Sequence, residues 1–333
     1  MTFRDKEKKR YKKLKSRLFS DKAQCDGVYL GEKRYFCLSD DHSHENLHED
    51  IRYSAIEYFR DRNITWHDGL DKGRKPSNHL CCSQSCCVNF LYPMVSRPDI
   101  IKSVFSRFYP VDTPLPINKD DPLLGGSYPY MTFEWIGVCD YLGETKRKGA
   151  NRTRGAYFTS ADFVFRFRRD DNKIQMVLGE WKYTEEYSES DKGIEVRKNN
   201  YRPAFNRTGG IFMGRGEDVY SALFFDPYYQ LMRLQLLAQE MQEAREMDAD
   251  LVTVLHICPE ANNEFRKKVT SPKLREMYPG RNTLEVWEEL VPSVKFKSIT
   301  VENLLDNIVE VARPKDRGWA KYLKKRYGWD RFY

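Results

Sequence analysis

Nowhere does the 333-residue sequence approach the roughly 18 consecutive apolar residues that a membrane-spanning helix needs, so no such span is expected. The apolar core of a signal peptide is also missing, because the N-terminus is charged throughout, and the expectation is a soluble, cytoplasmic protein without a membrane partner. The tight C-x2-C spacing of a zinc knuckle does not occur among the eight cysteines. Cys81-Cys82 and Cys86-Cys87 are adjacent pairs in an apolar stretch, and Cys25, Cys37, Cys139 and Cys258 are scattered. They read as buried thiols of a reducing compartment, in preference to disulfides or to zinc ligands joined by His42, His44, His48, His67 or His79. No internal repeat is visible. With 40% hydrophobic and 14% aromatic residues the chain is not a disordered one, and its length exceeds what a single compact core usually holds.

Charge is unevenly placed. Residues 1 to 20 hold nine basic and two acidic residues, and residues 313 to 333 hold eight and two, so the net +7 of the chain resides in its ends and the middle is mildly acidic. Basic ends attract polyanions such as nucleic acid, although a solubilising helical face has the same composition.

The first twenty residues lack Pro and Gly and predict a basic helix. Leu47, Ile51, Ala55, Ile56 and Phe59 at helical spacing predict an amphipathic helix over 46–62. A buried helix is expected within HLCCSQSCCVNFLYPMV, capped by Ser77 or Asn78, and another from Pro98 through Phe108. The five prolines between Pro110 and Pro129 predict irregular chain. The period then changes. Residues 131–139 read as a strand, and the runs before and after Asp170-Asp171-Asn172 as a β-hairpin. A polar stretch from Tyr187 to Gly216 suggests a surface insertion, followed by a long helix over 218–247 and a buried strand over 250–258. The tail alternates helices (285–290, 301–312, 316–327) with a short strand near 294–299.

The hairpin carries the sharpest chemistry. Glu180 and Lys182 are two residues apart, so they project from one strand face about 7 Å from each other. Antiparallel pairing sets the start of the first strand, with Asp162, beside the end of the second. Two carboxylates converging with a lysine make an oxygen site for Mg²⁺, with Mn²⁺ as an alternative. Such a site suits phosphodiester hydrolysis, the lysine positioning or helping to deprotonate the attacking water and offsetting developing charge. A surface cross-strand salt bridge would have the same spacing.

Helix, three strands with Asp on the second and Glu-x-Lys on the third, helix, strand: this order resembles the core of the PD-(D/E)XK nuclease superfamily over residues 78–258. Glu180-Trp181-Lys182-Tyr183-Thr184-Glu185, Leu142-Gly143-Glu144, Ser160-Ala161-Asp162 and Ser83-Gln84 with Asn89-Phe90-Leu91 look like a bacterial restriction-endonuclease-like family within it. Cys82, where a Ser is expected, and the basic first helix depart from that pattern. The resemblance implies an α/β restriction-endonuclease-like fold and a catalytic triad of Asp162, Glu180 and Lys182, with Asp162 and Glu180 as metal ligands. Gln84 and Glu144 are expected to join the site, with Glu134 as a rival and Gln230 facing the scissile phosphate.

DNA contacts are expected from the loop residues Lys146, Arg147, Lys148, Arg152 and Arg154, and from Lys324, Lys325 and Arg326 in the aromatic-interleaved tail. The expected organisation is a helical extension over 1–76, a nuclease-like core over 77–260 and a mostly helical extension over 261–333. The expected activity is metal-dependent DNA cleavage in restriction or phage defence, with a homodimer or a defence-system protein as partner. The alternatives are a nuclease-fold binding module without cleavage, and an RNA-directed nuclease.

Overall fold

A computed structural model describes residues 1–117, 123, 126–145, 152–154, 158–207, 210–213 and 216–328. A small ribbon of β1 (Gly27–Tyr29) and β2 (Glu32–Arg34) precedes a six-stranded sheet. Its strands are β3 (Val111–Leu115), β4 (Met131–Trp135), β5 (Ala161–Arg169), β6 (Ile174–Trp181), β7 (Leu251–Cys258) and β8 (Phe296–Thr300). The turn at Asp170-Asp171-Asn172, with Asn172 at φ +64°, closes the antiparallel hairpin β5–β6. β4 pairs with the first half of β5 and β3 with its second half, both antiparallel. On the other side β6, β7 and β8 run parallel, which requires the crossover helices that separate them in the chain. The architecture is thus α/β, with a mixed sheet and helical additions.

Strand alternation divides the interior into two cores. Phe163, Phe165, Phe167, Val177 and Trp181 face one, and Val164, Met176 and Leu178 face the other. The first core is covered by the helices Phe3–Leu18, Ser83–Leu91, Pro98–Phe105, Val301–Val311 and Arg317–Tyr327. The second is covered by Glu195–Phe205, Glu217–Ala222, Tyr228–Glu243 and Thr283–Leu290. Because the first core runs from Phe3 to Tyr327, both basic ends of the chain pack into it.

Several elements differ from the sequence expectation, each for a visible reason. The helix expected from residue 46 begins at Arg52, because the chain before it is bound elsewhere: Asn46 O accepts from Asn89 Nδ2 at 2.9 Å and His48 N–H donates to Asn89 Oδ1 at 2.7 Å. The cysteine-rich helix starts at Ser83 and is capped by Cys82, whose sulfur accepts from Ser85 N–H at 3.5 Å, not by Ser77 or Asn78. Asn78 instead donates to Val28 O and Asp40 Oδ1, tying down β1. The proline-rich segment contains β3, where Pro114 is tolerated because the strand lies at the sheet edge. The long helix expected over 218–247 is two helices, Glu217–Ala222 and Tyr228–Glu243, separated by residues 223–227, since proline at 227 disfavours helical backbone before it. The polar stretch after Tyr187 holds the helix Glu195–Phe205, which buries Tyr201, Ala204 and Phe205.

Candidate active site

β6 is the strand on which the site is built. It is flanked by strands on both sides and buried from Gln175 through Trp181. At Gly179 an added Cβ would stand 2.0 Å from the Phe163 ring, so this position admits only glycine and lets β5 close tightly against β6. The last ladder pair is Phe163 with Gly179, and the next residues outward are Asp162 and Glu180. Asp162 Oδ2 accepts from Trp181 N–H at 2.6 Å, and Lys182 N–H donates to Ile257 O of β7 at 2.8 Å, which fixes the strand end on both sides. Alternation then sends Trp181 and Tyr183 into the first core and leaves Glu180 and Lys182 on the opposite face with Asp162.

These three side chains line one polar cleft of about 390 Å³. Lys182 Nζ lies 2.7 Å from Glu180 Oε1 and donates to Gln230 Oε1 at 2.6 Å. Gln230, on the helix Tyr228–Glu243, also accepts from Tyr187 OH at 3.3 Å. Burial opposes the Lys182 charge, but Glu180, Tyr187, Glu185 and Asp162 outweigh it and hold the ammonium well above its usual pKa. The Asp162 pKa is raised as well, with the opposite effect on charge: burial first, then the Glu180 charge, lift its carboxyl well above the usual range, against the pull of Lys182.

Glu134 and Asp226 also line the cleft. Glu134 is the more constrained of the two. It sits at φ +51° on β4, a left-handed conformation that costs a non-glycine residue strain and that turns its side chain into the site. Its two oxygens accept from Gln84 Nε2 and Ser160 Oγ, each at 2.8 Å. Burial raises the Glu134 carboxyl, an effect that these two hydrogen bonds oppose.

The donor set fits a hard divalent cation. Asp162 Oδ1 and Glu180 Oε2 accept no hydrogen bond among the described residues, and two carboxylates leave room for water and phosphate oxygens. No group of three or more described His, Cys, Asp and Glu residues is spaced to hold a metal on its own.

Other expected site residues are placed differently. Gln84 stands one step back, holding Glu134 and also binding Thr65 O and His67 N–H. Glu144 does not line the cleft. It accepts from Thr159 N–H at 2.6 Å, Thr159 Oγ1 at 2.7 Å and Tyr201 OH at 2.7 Å, and so anchors the chain entering β5. Arg152 donates to the carbonyls of Ile136 and Gly137, and Arg154 lies over the Trp135 ring, 4.8 Å from its centroid. Lys146, Arg147 and Lys148 lie outside the described residues.

Arg326 is corrected outright as a nucleic-acid contact. It is fully buried, donating to Asn46 O at 2.7 Å, to Tyr322 OH at 2.6 Å and to Asn46 Oδ1. Lys325 is exposed but donates to Arg17 O, and Lys324 is half-buried. The cysteines are free thiols, six of them buried, as expected.

Sequence reasoning missed the basic members of the cleft: Lys192, Arg197 and Arg233. Arg233 was within reach, because it lies three residues after Gln230 and therefore shares its helix face. Its Nε donates to Thr159 Oγ1 at 2.9 Å and pairs with Glu144 at 3.7 Å. Lys192 and Arg197 belong to the segment read as a surface insertion, and nothing local marks them.

A family model described as restriction endonuclease associating with ARP matches residues 6–328 of this chain. No curated protein and no solved structure matches it.

Proposed function

The chain belongs to the family described as restriction endonuclease associating with ARP, and on that premise we propose that it is a metal-dependent endonuclease of the PD-(D/E)XK type that hydrolyses DNA phosphodiester bonds. The observation that carries this reading is the convergence of Asp162, Glu180 and Lys182 in one polar cleft at the end of β6. Asp162 and Glu180 would hold Mg²⁺, or Mn²⁺ in its place. When bound, such a cation lowers the pKa of coordinated water and offsets charge on the phosphodiester.

Glu180 and the other neighbours of Lys182 hold its pKa up and so favour the ammonium. The part of Lys182 is to orient the attacking water or help to deprotonate it, and to offset the negative charge that develops on the non-bridging oxygens. Gln230 and Glu180 fix the direction of the ammonium, at 2.6 and 2.7 Å. Glu134, locked by Gln84 and Ser160, holds the acidic wall in shape, and a third carboxylate there further favours binding of a cation. The biological setting we propose is restriction or phage defence, in which the partner named in the family description joins the chain.

Plasmid and labelled oligonucleotides incubated with the purified protein in Mg²⁺, Mn²⁺ or EDTA test the reading. Cleavage is expected with either metal and not with EDTA, and Lys182→Gln or Asp162→Asn should lower it by at least about 100-fold, the usual weight of one positioned charge. Undiminished cleavage by Lys182→Gln would sink the mechanism, and cleavage of RNA alone would move the substrate.

A further inference from the structure

The cleft wall opposite the carboxylates is made by a short turn and the helix that follows it. Lys192 N–H is pinned to Phe224 O at 2.7 Å, and Arg197 Nη1 donates to Lys192 O at 3.0 Å, so the two side chains are presented together on one rigid turn. Both are half-buried and line the same cleft as Glu180 and Lys182. Neither makes an ion pair among the described residues, although Lys182 and Arg233 on the facing elements do, with Glu180 and Glu144. Arg197 and Arg233 lie over the Tyr229 ring at 5.5 and 5.2 Å from its centroid, and for Arg197 this stacking holds the guanidinium in place without neutralising it.

Two partly desolvated cations that make no ion pair among the described residues, although Asp226 lines the same cleft, keep their charge available to an anion that arrives from outside. Between them in the chain Ile194 (59%) and Val196 (67%) are exposed, apolar surface that a free phosphate ion would not use but a nucleic-acid strand would. We propose that Lys192 and Arg197 form a second phosphate subsite, which grips a phosphate of the DNA strand next to the one at Lys182 and so sets which bond enters the catalytic end of the cleft. This rests on the nuclease reading of the site, but its test is read in binding and not in cleavage.

Binding of fluorescently labelled duplex DNA is measured by anisotropy across a salt series, in EDTA and in an Asp162→Asn background. Lys192→Gln with Arg197→Gln should weaken binding at least tenfold and reduce the slope of log Kd against log salt by about 2. Lys33→Gln with Lys173→Gln, the same charge change at two exposed sites away from the cleft, should leave both nearly as they were. Lys192→Gln alone removes no side-chain hydrogen bond among the described residues and serves as the variant whose folding is not at issue. Unchanged binding by the cleft variants, or an equal loss in the control, overturns the subsite. Inorganic phosphate competing at DNA-like affinity overturns its assignment to a strand. If the cleft variants lose binding while the native chain fails to cut in any metal, the subsite stands and the catalytic reading falls.

Discussion

Asp162 carries a raised carboxyl because burial and Glu180 both penalise its charge. A folded-state pKa above the unfolded value contributes stability that is present below the ordinary carboxylate range and is lost as pH rises through the raised value. At pH 7 without a divalent cation, Asp162 is therefore a liability for folding. Asp162→Asn should raise stability by about 1–3 kcal/mol in EDTA, observed as an upward shift of a few degrees in Tm. The native chain should gain Tm on adding Mg²⁺ while the variant gains little. A lower Tm for Asp162→Asn in EDTA would contradict the burial argument. The meeting of Asp162, Glu180 and Lys182 was legible at this scale, because period-2 alternation and a hairpin turn are local properties. Lys192 and Arg197 were not, since only the packing of the insertion brings them to β6.

The N-terminal helix Phe3–Leu18 reads as a detachable basic arm, and packing gives it another role. Its Lys6, Lys9, Lys12, Lys13 and Arg17 are exposed, but Phe3, Tyr11 and Leu14 are buried in the first core. Tyr183, which directly follows Lys182, donates to Glu7 and shares a hydrogen bond of 3.1 Å with Tyr11 OH, while Arg4 Nε donates to Thr184 O at 3.0 Å. Arg10 joins this network to the C-terminal helix through Arg326 O at 2.8 Å. Both terminal helices thus clamp the strand end that presents Lys182. Deleting residues 1–20 is expected to destabilise the fold and abolish activity, whereas a mere DNA-binding arm would cost affinity alone. Tyr183→Phe, a gentler change, should lower stability by about 1–3 kcal/mol by leaving the buried Glu7 short of a donor. A truncated protein with native Tm would refute the clamp.

Across the whole molecule, neutral buried histidines make stability depend on pH. His256 is fully buried and its pKa is lowered to about 3, by burial first and then by Lys182 and Arg266. His79, whose Nδ1 accepts from Cys81 N–H at 3.0 Å, is lowered to about 4, mainly by burial. Below pH 6.5 the unfolded chain takes up a proton at each, and the folded chain does so only near the lowered values. The histidine contribution is therefore intact above pH 6.5 and falls as pH drops, by about 1.4 kcal/mol per histidine per pH unit, opposite in sign to that of Asp162. Urea melts at pH 7 and pH 5 should differ between the native chain and His79→Gln, the variant lacking the His79 share while His256, His44 and His48, whose pKa values burial also lowers, keep theirs. Identical pH dependence in native and variant chains would dismiss the assignment.

The sequence by itself determined the hairpin, the convergence of Asp162, Glu180 and Lys182, the buried strand over 250–258 and the α/β class, because alternation, turn residues and helical period act over a few neighbouring residues. Only the tertiary structure decided that Glu134 joins the cleft through a left-handed backbone and that Glu144 anchors Thr159 outside it. It likewise decided that Arg326 is a buried strut. Composition presented the basic ends as free polyanion-binding charge. Burial separated them into cations spent on carbonyls and tyrosines and cations left facing water, since a charge declares its partner only when distant segments meet.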